Sequence, residues 1–116
     1  MSHTKRFPRD SRIRKKVEFE NCQSKGKRFH SRRFVLFLLR DGAPPARLGL
    51  VVTRDTGGAV VRNRWRRMIR ECFRNHREEL ALTGDFVVMV RRSVKEDPKA
   101  PAREELLNLF SSARHA

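Results

Sequence analysis

The stretch from Ala59 to Arg77, AVVRNRWRRMIRECFRNHR, constrains the fold more than any other part of the chain. On a helix of 3.6 residues per turn, Val61, Trp65, Met68, Ile69, Cys72, Phe73 and His76 fall on one stripe, wide enough to face a core. Arg62, Arg66, Arg70, Arg74 and Arg77 stack away from that stripe, with Asn63 and Arg67 beside them and only Glu71 interrupting. Like charges spaced i,i+4 repel by on the order of a few tenths of a kcal/mol per pair. A helix built for stability alone would alternate Glu with Arg, so the counter-charge is expected from outside, on a polyanion. Solvation by itself requires neither a single sign nor arginine over lysine, and the planar guanidinium fork suits phosphate.

Composition points the same way. The 116 residues hold 28 Lys and Arg against 13 Asp and Glu, a formal charge of +15. Such an imbalance strains a compact fold through self-repulsion and is offset by an anionic partner. Of the two candidates, nucleic acid fits better than a membrane, because the longest apolar run, Phe34 to Leu39, is far too short to span a bilayer. No signal-peptide core follows Met1. Cys22 and Cys72 stand alone, without a C-x-x-C or ligand-spaced histidine, so a structural disulfide is not expected and Cys72 reads as a buried thiol. A cytoplasmic location is the expectation.

Taken in order, residues 1–11 read as a basic arm ahead of one domain over 12–116. A helix is predicted from about Lys15 to Ser24, stopped by Gly26. Lys25, Lys27, Arg28, Arg32 and Arg33 then interleave with Phe29 and His30. Phe34–Leu39 is a strand by content, the loop Asp41–Pro45 a turn, and Arg47–Arg54 the returning strand of a hairpin. Alternation sends Val35, Phe37 and Leu39 to one face and Phe34, Leu36 and Leu38 to the other, without saying which face meets the helices. Gly57 and Gly58 lead into the arginine helix, whose first N–H groups are a weak candidate phosphate site. Asp85–Arg92 is a continuous apolar strand, expected to be covered on both faces and central or parallel. Ala102, Leu106, Leu109, Phe110 and Ala113 mark a final amphipathic helix. The order helix, two or three strands, helix, strand, helix (α-β-β-β-α-β-α with three) predicts an α+β fold, a two-layer sandwich of a small mixed sheet with helices. General rules predict a right-handed crossover.

Protein nucleases gather carboxylates or histidines to hold metals or activate water. Here His3, His30, His76 and His115 are scattered, and Glu78, Glu79, Asp85, Glu96, Asp97, Glu104 and Glu105 sit at helix ends and turns. No catalytic residue and no metal ligand is assigned.

Arg62-Asn63-Arg64, preceded by Gly57-Gly58-Ala59-Val60-Val61 and followed by Arg66-Arg67-Met68-Ile69-Arg70-Glu71-Cys72-Phe73, resembles the signature of the bacterial ribonuclease P protein family, G-x-A-V-x-R-N-R-x-K/R-R-x-x-R-E-x-F. The likeness runs from Arg12 to the last helix; Arg12-Ile13-Arg14 followed by Glu18-Phe19 is similar to the family's opening. It implies a fold shared with several ribosomal proteins, with a left-handed β-α-β crossover around the arginine helix. It also implies a protein subunit that binds the catalytic RNA and the 5′ leader of precursor tRNA and assists endonucleolytic removal of that leader. The active site and its Mg²⁺ would then belong to the RNA, with no cofactor held by a protein motif. By the same resemblance Arg62, Asn63, Arg64, Arg66, Arg67 and Arg70 dock on the catalytic RNA. Phe19 and Phe37 are stacking platforms for the leader, with Arg12, Arg14 and Val35 nearby, although periodicity alone would make Phe19 a core aromatic. Neither a membrane nor a small-molecule substrate is implied as a partner. The chain departs from the family pattern at Asp55, where relatives often carry a basic residue, and at Gln23, where they often carry an aromatic one. Two other readings stay open: a ribosomal-type structural RNA-binding protein without a processing role, and a DNA-binding module with the arginine helix in a major groove.

Overall fold

In chain order the computed structural model contains α1 (Lys16–Lys25), β1 (Lys27–His30), β2 (Phe34–Leu39), β3 (Arg47–Val51), a 3-10 turn at Arg54–Thr56, α2 (Ala59–His76), β4 (Asp85–Val90) and α3 (Ala100–Arg114). It describes residues 13, 16–39, 46–76 and 84–114. The basic arm 1–11, Arg12, Arg14 and the turn Asp41–Pro45 lie outside the described residues. Among the described residues no helix is long and apolar enough to cross a membrane.

The sheet runs β1-β2-β4-β3. The expected hairpin between β2 and β3 is not formed, because β4 lies between them, antiparallel to β2 and parallel to β3. Strand β4 explains this order. Phe86, Val87, Val88 and Val90 are all fully buried, so β4 needs cover on both faces and a strand on each edge. The partner that β2 takes in a hairpin is β1, with Lys27 opposite Leu38 and His30 opposite Val35. Strands β3 and β4 run parallel and therefore need a crossover, which α2 supplies.

Alternation along β2 separates two cores. Phe34, Leu36 and Leu38 join Phe86, Val88 and Val90 beneath α2 and α3, where they meet Trp65, Ile69, Phe73, Leu106 and Phe110. Phe73, Phe86 and Phe110 form a mutual aromatic cluster with centroids 5.9–6.0 Å apart, close to the edge-on and tilted geometries that ring quadrupoles favour. On the opposite face Val35, Phe37 and Val87 form a smaller core with Ile13 and Cys22, and Phe19, Leu39, Val51 and Met89 are only partly buried there. Helix α1 covers this face. Its Cys22 thiol donates towards the carbonyl oxygens of Phe37 and Asp85, at 3.5 and 3.4 Å. The helix ends as predicted near Gly26, whose N–H bonds the Cys22 carbonyl at 2.9 Å. A Cβ at Gly26 would collide with that same carbonyl and with Leu38, so the stop is also a close approach of helix to sheet.

Three polar clasps fix the elements. Arg47 grips Asp85 through two parallel hydrogen bonds of 2.9 and 2.8 Å, joining the starts of β3 and β4. The Trp65 indole N–H donates to the Glu96 carbonyl at 2.8 Å, which ties the β4–α3 connection to α2. Glu105 on α3 receives the Ser31 hydroxyl, the Arg33 backbone N–H at 2.6 Å and the Arg33 guanidinium at 2.7 Å. Burial pushes the Glu105 carboxyl up, but these donors outweigh it and hold the group below its ordinary value.

Candidate nucleic-acid interface

Helix α2 buries the stripe that its sequence predicts: Trp65, Met68, Ile69, Cys72 and Phe73. Burial pushes the Cys72 thiol up to about 11, against the pull of the Arg103 guanidinium, so it stays protonated at neutral pH. The six residues expected to dock on RNA therefore all lie off the core. Asn63, Arg64 and Arg67 are exposed, and Arg62, Arg66 and Arg70 are half-buried. Each of the five with a geometry given below is oriented by a neighbour. Arg62 Nε donates to the Gly57 carbonyl at 3.2 Å, and Arg66 donates to Asn63 Oδ1 at 3.0 Å. Arg64 pairs with Asp97 at 3.1 Å, and Arg67 with Glu71 at 3.5 Å. Exposed pairs of this kind contribute little stability, about 0–1 kcal/mol. Their effect is to point guanidinium forks away from the core.

The six do not form one face. At about 100° per residue, Arg62 and Arg64 lie about 160° apart around the helix axis, on opposite flanks. Arg66 and Arg70 follow Arg62, while Arg64 leans towards α3. Ahead of the helix, Asp55 sits in the 3-10 turn and gathers two cations from the β4–α3 connection. Arg92 Nε lies 3.7 Å from its carboxylate, and Lys95 Nζ donates to its carbonyl at 2.6 Å. Basic charge thus stands around this turn although the residue itself is acidic.

The second expected surface lies between α1 and the sheet. Phe19 is half-buried, and its ring edge rests on β3 at Gly49, where a Cβ would come within 2.7 Å of Phe19 Cε1. Only glycine lets the ring lie so close to the strand. Phe37 is 4 % exposed and Val35 9 %. The Arg28 guanidinium carbon stands 5.1 Å over the Phe37 ring centroid, a cation–π contact that a stacking base would have to displace. Arg12 and Arg14 lie outside the described residues. Strand register adds neighbours that sequence reasoning did not name. Val35 is opposite His30 on β1 and opposite Met89 on β4, and Met89 is opposite Val51 on β3. These four side chains therefore form a row across the sheet beyond the ring of Phe19, with Met89 and Val51 half-buried and His30 exposed. The signal lay in alternation, but the strand order needed to align the row did not.

The acids are spent on the fold rather than collected. Glu71, Asp85, Asp97 and Asp55 face Arg67, Arg47, Arg64 and Arg92, and Glu96 and Glu105 both face Arg33. Among the described residues no three His, Cys, Asp or Glu side chains come together as a metal site. His30 is exposed at the end of β1, His76 is half-buried at the end of α2, and His3 and His115 lie outside the described residues.

Comparison with known proteins gives one answer. The family model for Ribonuclease P matches residues 7–114. The Ribonuclease P protein component of Desulfovibrio desulfuricans is 42 % identical over 114 residues, covering 94 % of this chain and 88 % of the relative. That of Geobacillus kaustophilus is 39 % identical over 100 residues, covering 85 % and 83 %. Among solved structures, the RNase P protein of Staphylococcus aureus superposes with a TM-score of 0.81 at 30 % identity, covering 89 % of this chain and 94 % of that one. The RNase P protein of Thermotoga maritima gives 0.77 at 32 %, covering 87 % and 96 %. A ribosomal-type protein without a processing role is not favoured by these matches. An arginine-faced crossover helix, a mixed sheet with a partly open second face and matches over nearly the whole length lead to one conclusion: the chain belongs to the bacterial ribonuclease P protein family.

Proposed function

We propose that, within the ribonuclease P complex that processes precursor tRNA at its 5′ end, this chain holds two RNAs on two surfaces and supplies no catalytic group. The cationic side of α2, with Arg62, Asn63, Arg64, Arg66, Arg67 and Arg70, docks on the phosphates of the catalytic RNA. By neutralising phosphates there, it lowers the repulsion between that RNA and its substrate. The surface between α1 and the sheet takes the single-stranded leader, with Phe19 as the platform and Phe37, Val35, Met89 and Val51 as its apolar bed. Hydrolysis of the scissile phosphodiester, which leaves a 5′-phosphate on the mature tRNA, takes place at the RNA, where Mg²⁺ is mainly held. The observation that carries this reading is the orientation of α2: its apolar stripe is buried and its arginines lie on the solvent side, where Glu71 is the one acid of the helix.

The test is a salt titration of binding to the catalytic RNA. Arg66→Ala with Arg70→Ala removes two charges without opening a core cavity, so the fold should be kept. Affinity should fall, and the slope of log K against log salt should flatten by roughly two counterions' worth. A folded double variant with unchanged affinity and slope would overturn the docking role.

A further inference from the structure

The two flanks of α2 differ in what stands beside them. On the flank facing α3, a groove of about 340 Å³ is lined by Arg64, Arg67, Met68, Glu71, Pro98, Lys99, Ala100 and Arg103. Four cations meet there against one lining carboxylate, that of Glu71, which already faces Arg67 at 3.5 Å. The walls are held in place. Trp65, fully buried, anchors the connection before α3 through the Glu96 carbonyl, and Asp97 pins Arg64 at 3.1 Å. Arg103 lies close enough to Cys72 to pull on its thiol. Lys99 is exposed and makes no ion pair among the described residues. The groove floor, Met68, Pro98 and Ala100, is apolar.

We propose that this groove extends the docking surface of α2 into a second RNA-backbone subsite, in which Lys99 and Arg103 join Arg64 and Arg67 in holding a phosphodiester of the catalytic RNA and Met68, Pro98 and Ala100 seat the adjoining ribose. The proposal rests on the docking role given above for α2 and extends it. Positive charge alone would accept any polyanion. The catalytic RNA is the occupant because the groove continues the α2 surface assigned to it, while the Phe19 surface lies across the sheet from α2 and α3. Arg66 and Arg64 stand about 160° apart around α2, with Arg70 and Arg67 between them. In this arrangement the catalytic RNA lays one backbone segment along Arg66 and Arg70 and another along the groove. Arg64 and Arg67, already paired with Asp97 and Glu71, lose less freedom than an unpaired cation when a phosphate arrives.

The test compares two double variants of the full chain, titrated with the catalytic RNA across a salt series. Lys99→Ala/Arg103→Ala should weaken binding about ten-fold at moderate salt and flatten the salt slope by roughly two counterions' worth. Its effect should add to that of Arg66→Ala/Arg70→Ala, because the two segments are separate. If the groove variant binds with unchanged affinity and slope while the Arg66/Arg70 variant is weakened, the subsite is wrong and the α2 docking role stands. If neither variant changes binding, both readings fall. Arg103 lies near Cys72, so thermal melting is measured alongside. Should the double variant melt early, Lys99→Ala alone decides: a slope flatter by roughly one supports the subsite, and an unchanged slope overturns it.

Discussion

The two faces of the sheet are covered to different depths. Under α2 and α3, Phe73, Phe86 and Phe110 interlock, Trp65 packs edge-on against Phe34, and every one of these rings is fully buried. Under α1 the buried set among the described residues is Ile13, Cys22, Val35, Phe37 and Val87, and Phe19, Val51 and Met89 are left partly uncovered. A ten-residue helix that turns Cys22 inward and lays Phe19 at the margin cannot close a four-stranded sheet. One face therefore carries the stability and the other keeps apolar surface within reach of a ligand. That division leaves Phe19 at the margin of the smaller core, where the proposed leader surface needs it.

The largest effect is expected from breaking the closed face. Phe86→Ala deletes a ring shared by Phe73 and Phe110, and should cost about 3–5 kcal/mol by the usual cavity penalty. That is a large part of the roughly 5–15 kcal/mol that holds a typical domain. Urea unfolding should show it, and every RNA affinity should fall together. A loss under about 1 kcal/mol would mean that the aromatic cluster is not the main support.

An intermediate effect is expected at the clasp that holds α3 to the β1–β2 turn. Glu105 accepts three donors there, and Glu105→Gln should cost about 2–3 kcal/mol, since hydrogen bonds to a charged group are the strong ones. The sign with pH follows from the direction of the shift. The folded carboxyl is held below the ordinary glutamate value, so its contribution is complete above about pH 4.3 and is lost as pH falls through the lower folded value. Acid titrations of stability for the two proteins should converge below that window. If the gap between them stayed constant with pH, the clasp would not depend on ionisation.

Much of this contrast is legible in the sequence, and the exceptions have physical causes. The 3.6-residue stripe identifies α2 because Trp65, Ile69, Cys72 and Phe73 are large or buried throughout; Arg77 lies outside the described residues. The unbroken apolar run of β4 announces a central strand, and it is one. The hairpin between β2 and β3 fails because local turn signals report a change of direction and not which strand will occupy the space beside it. That choice is made about forty residues later, where β4 begins. The same gap hides Met89 and Val51, which reach Val35 only through the final strand order. The family signature groups Arg64 with Arg62; periodicity already separates them around the helix, and the structure adds what stands beside Arg64, namely Asp97 and Lys99.

The smallest effect on stability and the most selective effect on binding are expected at Phe19. Half-buried at the margin, it should cost only about 1 kcal/mol of stability on truncation to Ala. Base–aromatic stacking is worth on the order of 1–3 kcal/mol per base. The decisive measurement is therefore the affinity of the assembled ribonucleoprotein for precursor and for mature tRNA, with and without Phe19→Ala, beside a thermal melt of the variant. The account predicts that precursor binding weakens about ten-fold while mature tRNA, which lacks a leader, binds as before. Equal weakening of both ligands, together with a melting loss as large as that of Phe86→Ala, would contradict it and return Phe19 to the core.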